Sequence, residues 1–167
     1  MGIRDCIKTY ERILRLIVLC LMVVSGFAIM SMMFLTCADV SLRYFWKGIP
    51  GTLDMVQILG AIALAGALPY TTAVKGHVAI EYFFHKLPGI GRIAVDTIVR
   101  SLGILLFLLL AWRNAIYGLD LLDSNRVTST IQIPIFWLPW FIGLCCLVMS
   151  LVILYNLTHP GKVMIKP

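Results

Sequence analysis

Charged residues are missing from long stretches of this chain, and the uncharged stretches have the length of a bilayer. Residues 16–38 carry no charge, nor do residues 55–74. At 1.5 Å rise per residue, about 20 such positions cross a hydrocarbon core roughly 30 Å thick. The pattern therefore predicts membrane spans at 16–38 and 53–74. A third uncharged run, 101–112, is shorter, but Asp96 and Arg100 stand four apart and can pair on one helix face near a membrane edge. A helix over 97–119 is then long enough to cross. Residues 127–158 are uncharged throughout, too many positions for one span. Pro134 divides that run and suits the first turn of a helix, which sets the fourth span at 134–155. The expectation is an all-α integral membrane protein with four transmembrane helices, in one membrane domain over 1–167.

Two further segments are amphipathic. Ile3, Ile7, Tyr10 and Leu14 recur at helical spacing, opposite Arg4, Lys8, Glu11, Arg12 and Arg15. This predicts a short N-terminal amphipathic helix on the membrane surface; the alternative is a frayed polar tail. A signal peptide is disfavoured, because the apolar region after it is too long and has no small-x-small cleavage site. Residues 75–92 hold Val78, Ile80, Tyr82, Phe83, Phe84 and Leu87 among charges, broken at Pro88-Gly89. That segment is too short and too charged to span, so it belongs at the interface.

Composition narrows the class. The 167 residues are 60% hydrophobic and 13% charged, where a soluble domain is about a quarter charged. The net charge of +6 does not indicate nucleic-acid binding, because most Lys and Arg flank the spans. Arg4, Lys8, Arg12, Arg15, Lys75, Lys86, Arg92, Arg100, Lys162 and Lys166 fall on one side, and Arg43, Lys47 and Arg126 on the other. The positive-inside rule then puts both termini and the 75–92 segment in the cytoplasm. The five cysteines show no CxxC spacing, and all but Cys6 lie in spans. They suit small apolar core positions better than a disulfide or zinc site.

The second span holds Gly60, Ala61, Ala63, Ala65, Gly66 and Ala67, and such small-residue faces let helices approach closely in lipid. It is expected to be the most protein-contacted helix, with Pro69 bending its last turn. Ser25 and Gly26 offer a similar close approach on the first span. Arg113 falls inside the third span. It is either a functional charge, paired with Asp120, Asp54 or an acid on another subunit, or it snorkels toward the headgroups. His77 and His85 read as interfacial histidines rather than a proton relay or metal ligands, since no acid/His cluster has ligand spacing. No phosphate loop, catalytic triad, HExxH or paired carboxylates appear, so neither an enzyme nor a bound cofactor is expected. A four-span proton-coupled efflux pump would need a titratable group deep in a span; the first span has none, and Arg113 cannot deprotonate. A structural membrane scaffold is the remaining alternative.

One stretch carries more specific information. Arg43-Tyr44, the turn Gly48 to Gly51, Asp54 at a helix start and Gly76-His77-Val78-Ala79-Ile80-Glu81 follow in order. This resembles the small membrane subunit of tripartite ATP-independent periplasmic (TRAP) transporters, the DctQ-like family. Ile133-Pro134, with Pro139 inside the last span, is also similar. Leu53 and Asp54 stand where the family usually has Trp and Glu, and Glu81 where it usually has Asp. The resemblance implies a multi-pass protein of the bacterial inner membrane. It would work with a large permease subunit carrying the substrate and sodium sites, and with a periplasmic binding protein delivering an organic-acid anion. Uptake would be sodium-driven, without ATP, and this chain would brace the large subunit and offer part of an outer docking surface. The candidate contact residues are Arg43, Tyr44, Lys47, Asp54, Gly66, Gly76, His77, Glu81, Arg113 and Asp123.

Overall fold

The computed structural model describes the backbone of residues 3–45, 47–74 and 89–158, and side chains over 9–45, 47–74 and 97–156. Four helices account for most of it: α1 (Ile3–Phe45), α2 (Thr52–Ala73), α3 (Gly89–Asp123) and α4 (Trp137–Thr158). Each is long and apolar enough to cross a membrane. α1 packs on α2, α2 on α4 and α4 on α3, with a light touch between α1 and α4. The helices thus lie in the order α1–α2–α4–α3, and α3 forms one flank.

α1 is uninterrupted from Ile3, so the segment before residue 16 is not the separate surface helix that its amphipathic pattern suggested. The reason is local. No Gly or Pro occurs between Ile3 and Ser25. Leu14, Val18, Leu21, Ser25 and Ala28 form one buried stripe, at the three- and four-residue spacing of a helix face. The stripe continues through half-buried Met32 and Leu35 to buried Asp39.

The buried apolar core joins α1, α2 and α4, where Leu14, Val18, Leu21, Ala65, Ala73, Cys145, Val148, Val152 and Tyr155 pack together. Gly66 sits within this packing and faces α1. A Cβ added there would lie 3.0 Å from the Leu21 carbonyl oxygen and 3.3 Å from Ser25 Cβ. One turn away, the Ser25 hydroxyl donates to the Ala63 carbonyl at 2.5 Å. The small residues of α2 therefore bring α1 close inside this chain, with Gly66 buried at that contact. Gly26, by contrast, would place a Cβ in open space. Cys145 and Cys146 are buried, while Cys20 and Cys37 are exposed.

α4 begins at Trp137, later than the proline pattern suggested. Pro134 bridges to Val127 instead of opening the helix. Pro139 then falls in the first turn, where its missing N–H breaks no helical hydrogen bond. Pro69, inside α2, is fully buried, and the helix continues to Ala73.

Candidate docking face at the loop end of the bundle

The loops joining α1 to α2 and α3 to α4 meet at one end of the bundle, and two carboxylates hold them there. Asp39, 6% exposed near the end of α1, organises the first loop. Its Oδ1 accepts the Ile49 N–H at 2.7 Å. The Thr52 hydroxyl lies between that oxygen, at 3.1 Å, and the Ile49 carbonyl, at 2.8 Å. Oδ2 accepts from Arg43 Nη2 at 2.8 Å, a pair one helical turn apart. Arg43 is itself 71% exposed, so this ion pair adds little to stability. The backbone bond fixes the path of the chain into α2.

The second loop is built from the end of α3. Asn125 adopts a left-handed conformation, φ 45°. Its N–H bonds to the Leu122 carbonyl at 3.2 Å, and the Arg126 N–H to the Leu121 carbonyl at 3.3 Å. This is a Schellman closure, and it stops α3 at Asp123. The chain then folds back on itself: Thr128 N–H bonds to the Ile133 carbonyl at 3.0 Å, and Ile133 N–H to the Thr128 hydroxyl at 3.1 Å.

The tip of this fold-back docks on the start of α2. Asp54 Oδ2 accepts the N–H groups of Thr130 at 2.8 Å and Ile131 at 3.3 Å. Asp54 is 9% exposed and lies in the first turn of α2, where the helix dipole also favours a negative charge. The Ile131 side chain fills the space where Gly51 would carry a Cβ. Gly51 also has φ 85°, so both the close approach and the backbone conformation call for glycine.

The candidate residues from the sequence divide accordingly. Arg43, Tyr44, Lys47, Asp54 and Asp123 all lie at this loop end, with Tyr44 85% exposed and Lys47 and Asp123 also exposed. Asp54 is the exception in role, being committed to backbone amides within the chain. Gly66 is in the interior against α1, and Arg113 is exposed on α3. Gly76, His77 and Glu81 lie outside the described residues. Asp39 is the residue that sequence reasoning missed; its position four before Arg43 was the available signal. Among the described residues no cluster of His, Cys, Asp or Glu is arranged to hold a metal ion.

Residues 32–160 match the family described as Tripartite ATP-independent periplasmic transporters, DctQ component. The chain belongs to the DctQ family. It is thus a small subunit of TRAP transporters, a transport component and not a member of an enzyme family. With four membrane-length helices it is a multi-pass membrane protein. Neither a curated protein nor a solved structure matches the chain. The match to the DctQ component includes both loops and both tethering carboxylates, Asp39 and Asp54.

Proposed function

We propose that this DctQ component braces a large permease subunit in the inner membrane and presents its loop end to a periplasmic binding protein. The transporter so formed takes up an organic-acid anion, driven by sodium. The observation supporting an accessory role is the commitment of Asp39 and Asp54 to backbone amides at the loop end. A coupling carboxylate has to exchange its ion or proton during transport, whereas these two hold loops in place. In this reading the loops form a fixed platform, with both termini in the cytoplasm and Lys47 and Asp123 on the periplasmic side.

Single cysteines at Lys47 and Asp123, in a background without the native cysteines, are expected to react with a membrane-impermeant thiol reagent added outside. A cysteine at Lys86 is expected to stay unlabelled, and labelling there from outside contradicts the orientation. Charge reversal at Lys47 or Asp123 is expected to slow uptake most when binding protein is scarce, because rim charges act mainly on association rate. Uptake that stays normal at every binding-protein concentration removes those two residues from the docking surface.

A further inference from the structure

α3 is the least covered of the four helices, with 11% of its span buried against 50% for α4. One side meets α4: Gly103 faces Ile153, and Gly118 seats the Trp140 indole. The outward side carries Leu102, Leu106, Leu109, Arg113 and Asp120 along a regular stripe. Leu102, Leu106 and Leu109 are 59%, 54% and 55% exposed, and Arg113 is exposed among them.

The depth of Arg113 makes this face unusual. Gly118 lies against Trp140, in the first turn of α4, which sets its level near the loop end of the bundle. Arg113 lies five residues earlier, about 7.5 Å deeper along the helix. Side chains on a helix lean toward its N-terminus, which here points Arg113 away from the nearer surface. Neither acid considered as its partner within the chain serves. Asp54 is bound to the Thr130 and Ile131 amides, and Asp120 is two helical turns further on, about 10.5 Å. Among the described residues Arg113 makes no hydrogen bond or ion pair.

We infer that the outward stripe of α3 seats a helix of the large subunit that presents a carboxylate at the depth of Arg113. This rests on the accessory-subunit reading and names the surface it uses. A guanidinium and a carboxylate form paired, charge-assisted hydrogen bonds, and a low-dielectric surrounding strengthens them. A second copy of this chain in the same membrane orientation is a poor occupant, because a two-fold contact through this stripe sets Arg113 near Arg113 at equal depth.

The test uses the co-expressed complex. A photo-crosslinking amino acid at Leu106 or Leu109 is expected to capture the large subunit in the otherwise native complex. Arg113→Leu is expected to weaken co-purification by roughly thirtyfold or more, as removal of one member of a buried charge pair does, while Arg113→Lys retains part of it. The amount of each variant in the membrane is measured alongside, and the crosslinking arm does not depend on any change at Arg113. Crosslinks only to lipid or to a second copy, or wild-type co-purification of Arg113→Leu, overturn the inference. If the unaltered chain fails to co-purify with the large subunit at all, the accessory-subunit reading itself falls.

Discussion

Asp54→Ala is expected to release the loop between α3 and α4 while leaving the four helices inserted. The substitution strips the acceptor from the N–H groups of Thr130 and Ile131. Hydrogen bonds to a charged group contribute about 1.5–3 kcal/mol each, and water recovers part of that loss once the loop opens. A net loss of about 2 kcal/mol raises the open population by roughly thirtyfold. Trypsin cleavage after Arg126 in purified protein reads this directly, since cleavage follows the open population when reclosing is fast. Asp54→Asn keeps one acceptor oxygen and is expected to fall between wild type and alanine. Equal cleavage of Asp54→Ala and wild type would show that the carboxylate is not the tether.

Asp39→Ala is expected to act on both loops. It removes the acceptor of the Ile49 N–H and frees the Thr52 hydroxyl from the carboxylate. The path from Ile49 to Gly51 then loosens, and Gly51 is the surface on which Ile131 sits. Trypsin cleavage after Arg126 should therefore rise in Asp39→Ala, although Arg126 is far from the substitution in sequence. Asp39→Asn, which keeps an acceptor for Ile49 and loses mainly the exposed Arg43 pair, is expected to resemble wild type. Because the two tethers share the Gly51–Ile131 contact, their effects should not add; close, coupled sites show interaction energies of about 0.5–3 kcal/mol. Simple additivity in the Asp39→Ala, Asp54→Ala double variant would mean that the loops are held independently.

The spans were legible because burial in lipid leaves a direct record, the absence of charge over a bilayer's length. Gly51 and Asp54 were legible as a turn and a helix start, but their partners were not. Asp54 bonds to backbone amides 76 and 77 residues away, and a backbone amide has no residue-type signature. Asp39 was hidden for the same reason, since its main donor is the Ile49 N–H. For Gly66 the small-residue face was clear in the sequence, but composition cannot say which helix fills it; the structure shows α1. α4 starts at Trp137 and not at Pro134 because a proline is acceptable both at a helix start and in an extended bridge. The hydrogen bond from Ile135 N–H to the Arg126 carbonyl, beside the Val127–Pro134 bridge, decides between them.

This chain is expected to support transport and to perform none by itself. The most direct measurement is uptake of a radiolabelled organic-acid anion into liposomes under an inward sodium gradient, with binding protein outside. Liposomes holding both membrane subunits are expected to accumulate the anion. Liposomes holding this chain alone, or the large subunit without it, are expected to accumulate little. Sodium-dependent uptake by this chain alone would contradict the accessory role.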